Sequence, residues 1–261
     1  MARVRGDAEP GTPAPPGNGQ EAGGKPDALP DVLALPGTFC APAVFDRLAG
    51  ALRGRCRLRA LSWMTDAGSW TIASLAEWVA GTIERDGGRP VVLIGHSTGG
   101  AIALRTAARH PELLRGLMLI NTGPHMRGHG DVGALIDAIG REGVPSVTRR
   151  VLGRSFARPP AAADLERLSA YGHSVTAAAA VEVLASQRGT DLTSVLPEVR
   201  VPTAVVHGRL DPVRDTAEAA RTAAGFPDAT LHLVEAGHSP MYECPDAVLA
   251  VLEELLVRTA R

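Results

Sequence analysis

Short apolar runs alternate with amphipathic helical stretches along most of this chain. Asp31-Val32-Leu33-Ala34-Leu35 is the first run, with the length and composition of a buried strand. Pro36-Gly37-Thr38-Phe39-Cys40 reads as a loop, and a helix is expected over 43–52 with Val44, Phe45, Leu48 and Leu52 as its apolar positions. Cys56 to Trp63 is the next strand candidate. From Ile72 to Glu84, the residues Ile72, Leu75, Ala76, Val79 and Ile83 fall on one helical face. Val91 to Ile94 is a strand of branched apolar residues, and an Ala-rich helical pattern follows from Ala101 to His110. Leu117 to Asn121 predicts a further strand.

From about 123 to 188 the strand signals stop. Helical patterns remain at Val132 to Arg141, Ser146 to Phe156, Ala161 to Tyr171 and Val175 to Gln187, which predicts an all-helical insertion. The earlier alternation resumes with strands at Val201 to His207 and Thr230 to Val234 and helices at Thr216 to Ala224 and Ala247 to Arg258. Apolar strands alternating with helices predict an α/β fold with a mostly parallel sheet covered on both faces. Residues 1–28 are dense in Gly, Pro, Gln and Glu and almost lack large apolar side chains. Such a segment cannot offset its ordering entropy and is expected to be disordered; it has no apolar core of a secretory signal. The expected organisation is a tail at 1–28, a core at 29–122 and 189–261, and a helical cap at 123–188.

Composition narrows the class. The 261 residues suit one large α/β domain, and 45% hydrophobic with 21% charged residues is globular. A net charge of −1 and 3% aromatics point to neither nucleic acid nor an anionic membrane surface. No apolar run reaches the ~18 residues that cross a bilayer. Cys40, Cys56 and Cys244 are an odd count without metal spacing, and read as reduced thiols of a cytoplasmic protein. A small molecule is the expected partner; no feature fixes an oligomeric state.

The chemistry concentrates at Gly95-His96-Ser97-Thr98-Gly99. This Gly-x-Ser-x-Gly pentad stands between a predicted strand and a predicted helix, the context that turns it into a nucleophile site. The glycines permit a tight turn that lifts the Ser97 hydroxyl above the sheet. Thr98 offers a backbone N–H at a helix start, where donors are unpaired and the dipole favours negative charge. A serine hydroxyl needs a base, and the base an orienting acid. Both should follow the serine, each on a loop after a later strand, in the order acid then histidine. Asp211, in Gly208-Arg209-Leu210-Asp211-Pro212, and His238, in Glu235-Ala236-Gly237-His238-Ser239, meet that order. His207 reads as a packed or hydrogen-bonded strand histidine, His96 as packing beside the turn, and Glu235 as too close to His238 to orient it. Asn121 ends the strand before the insertion, where an acid could also sit; it is an amide, which favours Asp211. The second oxyanion donor is expected from the loop after the first strand, at the N–H of Thr38, with Phe39 as the alternative. Phe39, His125 and Met126 are candidate pocket residues, with His129 a further one.

These residues resemble the α/β-hydrolase superfamily: the pentad matches its nucleophile elbow, the Asp211 segment its acid loop and Gly237-His238 its histidine loop. The likeness covers about 29 to 258. The usual opening hairpin is expected to be missing, and the first loop begins Pro36-Gly37 where His-Gly is common. The loop from Ser62 to Thr71 also lacks the family's common Asp-x-x-Gly-x-Gly-x-Ser pattern, with Trp63, Met64 and Trp70 there as core or pocket wall. The resemblance implies an esterase-like serine hydrolase of small carboxylic esters, thioesters or lactones, with the helical insertion as a cap and with no metal or organic cofactor. A prolyl-type aminopeptidase is the alternative, but the insertion has no tight carboxylate pair for a substrate ammonium. Acyl transfer, cyclisation or perhydrolysis on the same triad are further readings. A silent binding module would gain nothing from an activated serine.

Overall fold

The protein is described by a computed structural model over residues 31–260. The expected tail at 1–28, and Leu29, lie outside the described residues. Six strands form one sheet: β1 (Asp31–Leu35), β2 (Arg57–Ala60), β3 (Val91–His96), β4 (Leu114–Ile120), β5 (Thr203–Gly208) and β6 (Ala229–Val234). Their order is β2-β1-β3-β4-β5-β6, and each pairing is parallel. Helices α1 (Asp46–Ala51), α2 (Trp63–Asp66), α3 (Ile72–Arg85) and α4 (Thr98–Arg109) lie between the first four strands. Between β4 and β5 stand α5 (Val132–Arg154), α6 (Ala162–Ser169) and α7 (Ala177–Gly189). The chain closes with α8 (Thr216–Ala224), α9 (Pro240–Glu243) and α10 (Pro245–Arg258).

Successive side chains of a strand point to opposite faces. Val32, Ala34, Val92, Ile94, Met118, Ile120 and Val206 pack on one face with Leu48 of α1 and Val248, Leu252 and Leu255 of α10. Leu33, Leu35, Leu93, Leu117, Leu119 and Val205 pack on the other with Leu75, Val79 and Ile83 of α3 and Ile102 of α4. Both faces are buried, which is why the central strands are continuous apolar runs. The edge strands β2 and β6 keep exposed positions.

Element ends differ from the sequence reading in a few places. The expected helix over 43–52 divides into a 3-10 turn, Pro42–Phe45, and α1. Cys56 and Trp63 fall outside β2. Trp63 instead opens α2, where its indole N–H donates to Pro36 O at 2.9 Å and turns the ring under the loop after β1. The two helices predicted at 132–141 and 146–156 meet in α5 at a break. Gly143 there has φ 77° and ψ 159°, ahead of Pro145. That backbone and a proline cannot continue a regular helix. The short helix α9 and a 3-10 segment at Thr193–Glu198 carry no periodicity long enough to predict.

The strand order places the site. After β1 the chain lays β2 on one side, then crosses back to lay β3 on the other. The loops leaving β1 and β3 diverge, and such a switch point opens a crevice at the C-terminal strand ends. The turn from β3 into α4 is packed too tightly for side chains. A Cβ on Gly99 would lie 2.1 Å from Leu35 O, and one on Gly95 2.5 Å from Gly99 O. Gly99→Ala must therefore displace backbone, and should cost about 1–3 kcal/mol of stability. Urea unfolding checks this; a variant as stable as the parent contradicts the packing.

Candidate active site

Ser97 sits at the tip of the turn with φ 52° and ψ −119°. A non-glycine residue keeps such a backbone only when its surroundings over-determine it. They do so here. The Ser97 N–H donates to Ile120 O at 3.1 Å, and its carbonyl accepts from Gly100 N–H at 2.9 Å and from the Thr122 hydroxyl at 2.7 Å. Gly37 lies across from it, where an added Cβ would come within 2.9 Å of Ser97 Cβ. The pentad's flanks and the Pro36-Gly37 loop are thus shaped by one close approach.

His238 and Asp211 lie side by side beyond the ends of β5 and β6. His238 Nδ1 donates to Asp211 Oδ2 at 2.9 Å, and Val213 N–H donates to Asp211 Oδ1 at 2.7 Å. Asn121, with φ 45° at the end of β4, donates from Nδ2 to the same Asp211 Oδ2 at 2.6 Å and to Gly237 O at 3.1 Å. Its Oδ1 accepts from Gly208 N–H at 3.2 Å. At this position, where an acid could sit, the Asn121 amide instead ties three strand ends together. Burial works against the Asp211 charge, but the His238 hydrogen bond and its charge, with the bonds from Val213 and Asn121, prevail and hold the carboxyl at about 2. The main chain of the histidine loop is fixed as well: His238 N–H donates to Ser155 O at 2.8 Å, and Glu243 accepts from Gly237 N–H at 3.0 Å.

Ser97 and His238 line one cavity of about 220 Å³. No hydrogen bond joins the two side chains; such contacts are often loose before substrate binds and tighten with it. Thr38, Thr98 and Phe39 line the same cavity. Among the described residues the N–H groups of Thr38 and Thr98 have no acceptor, whereas Phe39, at φ 66°, donates its N–H to Met64 Sδ at 3.2 Å. That leaves Thr38 as the free donor of the first loop. Much of the remaining wall is apolar, with Met126, Val132, Leu135, Val151, Leu184 and Val213, and it carries Gln187, His129, Arg214, Asp131 and Ser155 as polar groups. His125 does not reach this wall. It borders a smaller adjoining cavity, and its carbonyl accepts from Arg214 Nη2 at 3.0 Å, which holds it behind the guanidinium.

Arg214, Glu218 and His129 form a buried ion-pair cluster that the sequence reading missed; no motif marks it. Arg214 pairs with Glu218, His129 Nε2 lies 2.5 Å from Glu218, and His129 Nδ1 donates to Val213 O at 3.0 Å. Burial opposes the Glu218 charge, but the His129 bond and the Arg214 charge outweigh it and lower its pKa. His125, His129 and Glu218 have ligand atoms within 4.8 Å of one another, a spacing a cation could use. The donor set does not suit one, because the Arg214 guanidinium already fills the centre, 2.9 Å from His129 Nε2. A larger cleft of about 350 Å³ lies at the opposite strand ends. Its Arg57, Arg59, Arg89, Asp31 and Asp86 pair with one another and offer no nucleophile.

His96 and His207 are buried, as expected of histidines that pack. His207 Nε2 donates to Arg214 O at 3.0 Å, and burial lowers its pKa. His96 does more than pack. Its Nδ1 accepts from Gly37 N–H at 3.2 Å, so its hydrogen lies on Nε2, which donates to His238 O at 2.8 Å. One neutral ring therefore joins the loop of Thr38 to the loop of His238. Burial, then the nearby His238 charge, push its pKa down to about 3. The ring should stay neutral, with the hydrogen on Nε2, at about pH 5, where an ordinary imidazole with a pKa near 6.5 is mostly charged. Nitrogen NMR of the histidine rings reads both features. A His96 resonance that titrates near 6.5 contradicts this bridge. The sign for stability follows: the unfolded chain binds this proton and the folded one does not, so His96 lowers stability as pH falls from about 6.5 towards 3.

Known proteins resemble the chain in sequence and in fold. The alpha/beta hydrolase family matches residues 32–251. The polyketide synthase ThaQ of Burkholderia thailandensis is 31% identical over 250 residues; the match takes in 87% of this chain but the chain spans only 12% of that protein. A pimeloyl-(acyl-carrier protein) methyl ester esterase of Aromatoleum aromaticum is 27% identical, covering 87% of this chain and 98% of that one. The solved structure of a thermophilic esterase from Thermogutta terrifontis superposes with a TM-score of 0.77 at 20% identity, over 90% of this chain and 92% of that one. With a parallel sheet, a serine elbow at its switch point and a family match across nearly all the described residues, this chain belongs to the alpha/beta hydrolase family.

Proposed function

We propose that the protein is a serine hydrolase of small carboxylic esters, thioesters or lactones, working through an acyl-enzyme on Ser97. The observation that carries this reading is the Asp211–His238 hydrogen bond opening on the cavity that Ser97 lines. Asp211, kept ionised, holds His238 with its hydrogen on Nδ1 and leaves Nε2 as the base. His238 takes the Ser97 proton as Oγ attacks the substrate carbonyl. The oxyanion that forms is met by the N–H groups of Thr38 and Thr98, and preorganised donors of this kind are worth several kcal/mol in the transition state. His238 then protonates the leaving group. A water, activated by the same ring, releases the acyl group and restores Ser97.

The segment 123–188 serves as the cap, since Met126, Val132, Leu135, Val151 and Leu184 supply most of the apolar wall. A cavity this small and apolar favours a short acyl or alcohol group. Carrier-bound acyl esters are a second substrate class. Their support is that one relative is named for a pimeloyl-(acyl-carrier protein) methyl ester and another is a polyketide synthase. The aminopeptidase reading has little support: among the described residues Asp131 is the one carboxylate on the cavity wall, and it caps α5 through Ala134 N–H at 2.9 Å. Glu182 is engaged elsewhere, by Ser69 and Trp70. Among the described residues no helix is long and apolar enough to cross a membrane. Three free cysteines, two of them buried, fit a cytoplasmic location.

A fluorophosphonate probe should label the protein, and Ser97→Ala should abolish labelling and lower p-nitrophenyl ester turnover by at least about 10⁴-fold, as removal of such a nucleophile does. Lactones and amino-acid amides in the same panel sort the substrate classes. Labelling that persists in Ser97→Ala, or full turnover by that variant, overturns the assignment.

A further inference from the structure

Thr38 and Thr98, which line the same cavity, are also joined through their side chains. Thr38 Oγ1 and Thr98 Oγ1 lie 2.7 Å apart, and Thr98 Oγ1 donates to Gln187 Oε1 at 2.9 Å. A hydroxyl has a single hydrogen. That of Thr98 is committed to Gln187, so the contact between the two threonines needs Thr38 as its donor. The chain runs one way, from Thr38 through Thr98 to Gln187.

Gln187 lies on α7, outside the α/β core, and is only 7% exposed. Its placement is fixed by neighbouring anchors on the same helix. Glu182 Oε1 accepts from Ser69 Oγ at 3.0 Å and from Trp70 N–H at 3.1 Å, and Ser186 Oγ accepts from Ile72 N–H at 2.9 Å. These bonds tie α7 to the start of α3 and hold the Gln187 amide against the elbow. On the other side, the loop of Thr38 is held from below by Trp63 and Met64. The hydroxyl chain closes the assembly from above.

We propose that Gln187 is a positioning residue for the oxyanion hole, acting through the Thr98 and Thr38 hydroxyls to fix the spacing of the two main-chain donors. The proposal rests on the acyl-transfer reading of Ser97. Donors stabilise a developing oxyanion only as far as they are already aimed at it. Bonds in a buried chain polarise one another, so the chain acts as a unit. Without the Gln187 acceptor the Thr98 hydroxyl is free to turn, and the loop of Thr38 loses its tether. The consequence falls on the transition state, where the charge appears, and hence on kcat rather than KM.

Steady-state hydrolysis of a p-nitrophenyl ester by the full chain tests this, with Gln187→Leu, with Thr98→Val, which keeps the N–H, and with the double variant. Each single change should lower kcat roughly 10-fold, less than the 10²–10³-fold that loss of a whole donor costs. KM should stay within about twofold. The double variant should be no slower than either single, because both break one chain. Thr98→Ser should recover most of the rate lost in Thr98→Val. An unchanged kcat in Gln187→Leu, a loss carried by KM, or losses that multiply would overturn the proposal. Should Gln187→Leu fail to fold, equal kcat for Thr98→Val and Thr98→Ser overturns it. Wild-type protein that resists the fluorophosphonate overturns the Ser97 reading and this one together. Wild-type labelling with an unaffected Gln187→Leu overturns this one alone.

Discussion

Backbone meets backbone at the elbow, and the rest of the site inherits its positions from that contact. Gly99 lies so close to the end of β1 that a Cβ would overlap Leu35 O, and Gly37 lies against the Cβ of Ser97. Close packing of main chain brings two strand ends together without intervening side chains. It puts Thr38 and Thr98 on the wall of one cavity. It also forces Ser97 into a positive φ, which the bonds to Ile120, Gly100 and Thr122 sustain. Interiors pack densely and transmit displacement, so a shift at any of these glycines would be felt at the hydroxyl.

Polar groups then extend this rigid point outward. His96 bridges the loops of Thr38 and His238, and Asn121 bridges the ends of β4 and β5 to Asp211 and the histidine loop. Each is buried and has partners on both sides, the condition under which a buried polar network stiffens a structure rather than weakening it. The charged members follow the same logic. Asp211 remains ionised because its hydrogen bonds outweigh its burial; His96 remains neutral because nothing outweighs its own.

The sequence carried most of the fold and the order of the site because both are written in local patterns. Continuous apolar runs marked β1, β3, β4 and β5, and Gly-x-Ser-x-Gly between a strand and a helix marked the elbow. Asp211 and His238 were legible from their place after strands, since chain order and strand ends are one-dimensional facts. Gln187 and the Arg214–Glu218–His129 cluster were not. Their partners lie 89 residues away in the case of Gln187 and Thr98, and no local pattern records which side of a helix meets the elbow. His125 illustrates the same limit: its neighbour Met126 lines the cavity, while the His125 carbonyl is turned to Arg214. In the sequence, Asn121 stands out only for the charge it lacks. Its role as a hub depends on three strand ends converging, which only the folded chain displays.

In the proposed reaction Ser97, His238 and two main-chain donors act on one substrate carbonyl. A crystal structure of the protein after phosphonylation tests it most directly. Phosphorus should be bonded to Ser97 Oγ, with one phosphoryl oxygen about 2.7–3.1 Å from both Thr38 N and Thr98 N, and His238 Nε2 should face the other side. Phosphorus on another residue, or a phosphoryl oxygen turned away from both threonine amides, would contradict it.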